Sequence, residues 1–221
     1  MKLEPIAHKV NCKTCNHELP KKSSASNVVV CSFCNTINWL QHEPKSGKTV
    51  SGSAKNLLSI FQIGSQIKDT LVQGEIIGFI ELLVNDSYVI LYQLKDGNNH
   101  FHWLFERHGQ LNWFDQVNHK AIENAKITNP NAGKLFTLEV KGNFQNFMTA
   151  KATMLKKFDI FGEVWITEEL ELQTKILEAY NEEGHCFFSF IFSSLHNLSF
   201  IGKRIHIPIS SIINPSFQLP G

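Results

Sequence analysis

Two Cys-x-x-Cys pairs near the start of the chain, Cys12-Lys13-Thr14-Cys15 and Cys31-Ser32-Phe33-Cys34, constrain its fold more than any other feature. Two intervening residues let both sulfurs of a pair reach a single tetrahedral ion, at roughly 2.3 Å each. The fifteen residues between Cys15 and Cys31 are enough for one strand out and one back, so the second pair can close the shell. The spacing predicts a four-cysteine zinc ribbon holding one structural Zn2+ through Cys12, Cys15, Cys31 and Cys34. Such a shell has no open position, so no catalysis is expected at the metal. The alternatives are four unrelated reduced thiols, or a redox dithiol, which would need a βαβ pattern that neither pair has.

The residues around the pairs agree with a ribbon. The position after the second cysteine of a knuckle turns with positive φ, where Gly is the least strained choice. Here both are asparagine, Asn16 and Asn35, the next most tolerant residue. Val28-Val29-Val30 is a β-branched run leading into Cys31, as a ribbon strand would be. Ile37, Trp39 and Leu40 supply a small apolar cap. So few apolar residues would fold poorly alone, and metal ligation is expected to supply the missing folding energy, on the order of 10 kcal/mol apparent.

Net charge is +1 overall, but it is unevenly spread. Residues 1–56 hold 8 Lys and 3 Glu, a net of +5, and residues 57–221 carry a net of −4. A basic ribbon beside a mildly acidic domain either binds an acidic surface or nucleic acid, or is simply a solvated satellite. Met1 to Val10 contain no apolar core of signal-peptide length. The longest apolar stretch, Cys186 to Ile201, is interrupted by Ser, His and Asn. It also falls short of the roughly 20 residues that span a bilayer, so it reads as two strands and no membrane insertion is expected. Metal-ligand cysteines plus one leftover thiol, Cys186, suit a reducing compartment, so a soluble cytoplasmic protein is expected.

The ribbon and its short N-terminal tail cover residues 1–41, and a Lys-, Ser- and Gly-rich segment over 42–56 reads as a flexible linker. Within it, Ser46-Gly47-Lys48-Thr49 imitates the end of a phosphate-binding loop. The Gly needed five positions before Gly47 is His42, and no strand precedes it, so nucleotide binding is not expected there. Residues 57–221 read as a β-rich domain, of one or two small barrels or bent antiparallel sheets. Strands are expected over Ile76–Val84, Tyr88–Leu94, His100–Glu106 and Gln110–Phe114. Asp96-Gly97-Asn98-Asn99 and His108-Gly109 are their turns. Further strands are expected over Leu135–Val140, Ala150–Ile160, Phe187–Phe192 and Lys203–Ile209. Residues 168–181 alternate as a strand would, yet their composition also suits a helix. Gly74-Glu75 precedes Tyr92 by the same interval that separates Gly162-Glu163 from Tyr180, which reads either as an internal repeat or as chance.

Ile63-Gly64 through Gly74, the Asp96-Gly97 turn, Trp103-Leu104-x-Glu106-x-x-Gly109 and Trp113 resemble the bacterial family called domain of unknown function 4178. Gly162-Glu163-x-Trp165, Glu182-Glu183 and Gly202 match its second half more loosely. The resemblance covers roughly residues 57–213. It implies a bacterial setting and a fold often preceded by a zinc ribbon. It supplies no catalytic residue.

His100 and His102 share one strand face, with Phe101 and Trp103 on the other. Two such histidines can bind a metal, but no third ligand is identifiable. Trp103 and Trp113 flank a hairpin and are either core partners or, if exposed together, a platform for a ligand or partner, with Glu106 and Arg107 orienting polar groups. His185 and Cys186 are adjacent on a strand and face opposite ways, so they do not form a nucleophile and base. The expected function is a non-catalytic module or adaptor that binds a protein. The first alternative is nucleic-acid binding through Lys9, Lys13, Lys21, Lys22, Lys45 and Lys48; the second is an uncharacterised enzyme using the β domain.

Overall fold

The computed structural model describes residues 10–19, 21–23, 26–40, 46–49, 59–84, 86–117, 131–166, 170, 174–192 and 197–215. Among these the regular structure is almost entirely strand. The ribbon supplies β1 (Val28–Val30) and β2 (Thr36–Trp39). Next come β3 (Ser46–Thr49), β4 (Gln66–Lys68) and the meander β5 (Gln73–Val84), β6 (Ser87–Lys95), β7 (Phe101–Arg107) and β8 (Gln110–Gln116). The second half holds β9 (Leu135–Val140), β10 (Asn143–Met154), β11 (Lys157–Val164), β12 (Lys175–Tyr180), β13 (His185–Ile191), β14 (Asn197–Ile205) and β15 (Ile212–Ile213). A single 3-10 turn, Ile209–Ser211, is the helical exception among the described residues.

The turns form at positions of positive φ: Asp86, Asn99, His108 with Gly109, Lys141 with Gly142, and Gly184. Strands run in the order β3-β2-β1-β11-β5-β6-β7-β8-β14-β13-β12-β10-β9, with β4 also beside β5 and β15 beside β4. All pairs are antiparallel. The sheet is bent and not closed. The segment Asn143–Val164 holds β10 and β11 in succession. Its first part pairs with β12 and its second with β5. At the junction Leu155 N donates to Thr174 O at 3.0 Å and Lys156 N to Leu83 O at 3.1 Å. One length of chain therefore joins the two flanks of the curled sheet.

Curling buries both faces of the central strands. The main core collects Ile80, Leu82, Leu91, Trp103, Phe105, Phe114, Phe188, Phe190 and Phe200. Most of its aromatic rings meet edge to face or tilted, as with Phe105 and Phe114 at 5.5 Å and Trp103 and Phe200 at 5.4 Å, while Phe190 and Phe192 are stacked. A second cluster lies where Phe61, Ile67, Val72 and Ile212 pack with Ile76, Tyr92, Leu94 and Leu104. A third gathers Leu138 and Phe147 of the β9–β10 hairpin with Leu177, Phe187 and Ile201.

Several expectations change in detail. Part of the expected linker, Ser46–Thr49, is a strand beside β2, and residues 41–45 and 50–58 lie outside the described residues. The run expected over Ala150–Ile160 is two strands that break at Leu155 and Lys156. Residues 175–180 of the ambiguous segment are strand; 167–169 and 171–173 lie outside the described residues. Gly74 opens β5 whereas Gly162 lies near the end of β11, so the echo falls at non-equivalent positions.

The ribbon is built into this sheet. Val28 and Val29 of β1 pair with Val164 and Glu163 of β11, and Val28 and Ile37 enter the main core. The junction admits no side chain. Gly78 of β5 pairs with Gly162 of β11, and a Cβ on Gly78 would stand 2.1 Å from the Glu163 carbonyl oxygen. Gly162 has φ +68, and a Cβ there would meet Ile77 O at 2.5 Å. We therefore expect Gly78→Ala to destabilise the protein by about 2 kcal/mol or more, measured by chemical denaturation. An unchanged midpoint would show that the strands separate there without loss.

Candidate metal centre

The four cysteines converge. Their sulfurs all lie within 4.8 Å of one another, with Cys12 and Cys34 3.5 Å apart and Cys15 and Cys31 3.7 Å apart. A tetrahedral ion with roughly 2.3 Å metal–sulfur bonds needs sulfurs about 3.8 Å apart, so the shell has the size of a metal site. None of the five cysteines is disulfide-bonded. Cys12 and Cys31 are buried and the other two half-buried.

Local backbone bonds make this geometry. Asn16 N donates to Cys12 O at 2.8 Å and Asn35 N to Cys31 O at 2.9 Å, closing one turn in each knuckle. Asn16 and Asn35 have φ of 59° and 56°, the left-handed turns expected of them. Cys12 N donates to His17 O and Cys31 N to Thr36 O. Asn38 of β2 joins the two knuckles. Its Oδ1 accepts from Lys13 N at 3.2 Å, and its Nδ2 donates to Thr36 O at 2.9 Å and lies 3.7 Å from Cys12 Sγ. Thr36 Oγ1 is 3.2 Å from Cys34 Sγ. Polar groups thus face the sulfurs, as partners that orient metal ligands do.

The thiols cannot all ionise unaided. Burial opposes the Cys12 thiolate, yet backbone hydrogen bonds from Cys15 and Thr14, with the neighbouring sulfurs, bring its pKa down to about 6. At Cys15 a backbone hydrogen bond from His17 favours the thiolate. Burial and the three other sulfurs outweigh it and push the thiol up to about 12. A divalent cation removes that conflict, because four thiolates then surround opposite charge.

The centre is fastened to the body beyond β1. The Glu163 carboxylate accepts from Lys22 N and from Ser23 N, the latter at 3.1 Å, and burial raises its pKa. Asn27 and Ile166 exchange side-chain to backbone bonds of 2.5 and 3.0 Å. Lys22 Nζ pairs with Glu75 at 2.5 Å, and Lys95 Nζ donates to Lys22 O at 2.8 Å. Lys22 is therefore engaged with the β domain. Lys9, Lys45 and the Lys48 side chain lie outside the described residues.

The other candidate residues do not come together. Trp103 is 2% exposed and sits in the main core. Trp113 packs against the second cluster and stacks on His102 at 4.8 Å. Register explains this: Trp103 pairs with Phe114 and Leu104 with Trp113, so the tryptophans occupy opposite faces and form no exposed platform. Trp113 does line a cleft of about 300 Å³ with Lys141, His185 and Lys203. Glu106 Oε2 accepts from Tyr92 Oη at 2.9 Å and Ser59 Oγ at 2.7 Å. Arg107 forms a two-pronged pair with Glu178 at 2.6 and 2.8 Å; burial alone would lower its pKa, but Glu178 raises it. Both charges are therefore committed within the fold. His100 and His102 reach Asp96 at 3.3 and 3.4 Å. Among the described residues, the cysteine cluster is the one group that meets the geometry of a metal shell. Cys186 Sγ donates to Asn112 Oδ1 at 3.2 Å, and burial pushes it up to about 11, so it stays a neutral thiol at pH 7.

No protein-family model matches the chain, and searches among curated proteins and among solved structures give no match.

Because β1 pairs with β11, stripping the metal is expected to loosen more than the ribbon. Hydrogen exchange after chelation should rise across residues 10–40 and at Glu163 and Val164, while β13 and β14 keep their protection. Unchanged exchange at Glu163 and Val164 after complete metal loss would show that β1 stays docked without the ion.

Proposed function

We propose that the protein is a zinc-binding adaptor without catalytic activity, which captures an extended segment of another protein along strand β9. The observation that carries this reading is a continuous exposed apolar row. Leu135 of β9 pairs with Met148 of β10, which pairs in turn with Tyr180 of β12. Directly opposed residues of neighbouring strands share a face, with Cβ atoms about 4.5–5.5 Å apart. Leu135 is 69% exposed, Met148 55% and Tyr180 50%; Phe144, on the same face of β10, is 77% exposed. Scattered apolar residues need no explanation, but a row across three strands does.

The row ends at an open edge. Among the described residues β9 pairs with β10 alone. Edge strands are usually blunted by Lys, Pro or a bulge. The β9 sequence Leu-Phe-Thr-Leu-Glu-Val has neither residue, and its register with β10 is unbroken. A segment that added beside β9 would bond its free N–H and C=O groups and lay apolar side chains against Leu135 and Met148.

Zinc is the metal the donor set favours, since four thiolates in a closed tetrahedral shell suit a d10 ion without redox chemistry. The thiol-rich centre supports a reducing, cytoplasmic setting. No helix among the described residues is long and apolar enough to cross a membrane. Membership of the domain of unknown function 4178 family, and with it a bacterial origin, is part of the same proposal and rests on the motifs alone.

The test places a photo-crosslinking residue at position 135 or 144 of the full, metal-loaded chain, in nuclease-treated lysate. One discrete protein adduct is expected, lost in the double variant Leu135→Glu, Met148→Glu, which should keep its metal and circular dichroism. An adduct that survives the double variant, or none from either position, overturns the reading. An adduct with a second copy of the chain would make the edge a self-association site instead.

A further inference from the structure

Two aromatic rings stand in solvent at the tip of the metal ribbon, far along the strand order from β9. Phe33 lies between Cys31 and Cys34 and is 72% exposed. His17, just past the first knuckle, is exposed too. Their rings lie 5.2 Å apart and 12° from parallel. The knuckle turn holds Phe33 out: Cys31 and Cys34 point inward to the sulfur cluster, and the bond from Asn35 N to Cys31 O fixes the turn between them. His17 covers one face of Phe33. The exposure of Phe33 leaves the other face open, oriented for a third flat ring.

Charge indicates what kind of ring. The N-terminal quarter of the chain has a net charge of +5. Exposed Lys13 lies between Cys12 and Cys15 in the first knuckle of the cluster whose second knuckle carries Phe33. Aromatic rings beside mobile cations are the elements of sequence-tolerant recognition of single strands, in which bases stack and phosphates meet lysine. A duplex hides its base faces and could not use the open ring.

We propose that Phe33 and His17 form a stacking platform for a base of single-stranded nucleic acid, with Lys13 facing the neighbouring phosphate. The inference is independent of the docking row on β9, and each can fail without the other.

The probes are fluorescein-labelled oligothymidylate and oligouridylate, titrated by anisotropy into the full, metal-loaded chain at about 50 and about 200 mM salt. Saturable binding is expected. Phe33→Ala should weaken it roughly tenfold or more, the loss of one stacked base, while Phe33→Trp should retain it. Lys13→Gln should reduce the slope of log affinity against log salt by about 0.7. Metal content and circular dichroism of each variant report that the ribbon remains folded. Absence of binding at the lower salt overturns the proposal. Equal affinity of wild type and Phe33→Ala does so as well, since charge alone would then account for the binding. Loss of the β9 crosslink in Phe33→Ala, with no oligonucleotide bound, would assign the ring to the protein surface and also overturn it.

Discussion

Strand β11 belongs to two structures at once. Residues Lys157–Gly162 pair with β5, and the next two, Glu163 and Val164, pair with β1 of the ribbon. The switch happens at Gly162, whose positive φ turns the strand from one neighbour to the other. Everything else in the arrangement leans on that hand-over. It requires glycine on both sides of the β5–β11 contact, it presents the Glu163 carboxylate to two ribbon amides, and it brings Val28 into the core of the body. A ribbon at the end of a flexible tether would need none of these.

Legibility in the sequence followed the range of the interactions. The cysteine cluster was readable because two Cys-x-x-Cys turns are local, and the positive φ of Asn16 and Asn35 was readable for the same reason. The meander from β5 to β8 announced itself through Asp96-Gly97 and His108-Gly109. The hairpin between β9 and β10 did not, because Lys141-Gly142 is a weak signal and β10 alternates polar residues on a long strand whose register shifts between Thr149 and Lys151. Pairing of β1 with β11 joins residues far apart in the chain, and no local pattern encodes it. The two tryptophans illustrate a subtler limit. Each was correctly placed on a strand, but a one-residue choice of register decides whether they share a face. That choice depends on side chains from β14, such as Phe200, that reach Trp103 only in the folded sheet.

The distribution of charge and apolar surface gives the chain two unlike ends. The strand order begins at the ribbon and finishes at β9. The first end is basic and tipped with an aromatic stack; the last presents an apolar row beside β9, which pairs with β10 alone among the described residues. Between them a few charged side chains are turned to internal use. Arg107 and Glu178 pair with each other, and Glu106 satisfies Tyr92 and Ser59. The apolar row and the aromatic stack lie towards opposite ends of the strand order.

The hand-over at β11 also sets an order of events in the making of the molecule. Asn27 and the Ile166 backbone it bonds are 139 residues apart. At a synthesis rate of about 5–20 residues per second, the ribbon leaves the ribosome roughly 7 to 28 seconds before the strand it docks against. During that interval it has no sheet to lean on, and Val28 and Ile37 have no core to enter. A metal ion is a partner that the four cysteines could acquire at that stage, since all of them lie within the ribbon. Were the four cysteines to take up a metal ion, its capture would be the first step of assembly, and a cell short of that metal would release chains whose N-terminal strands reach β11 unformed.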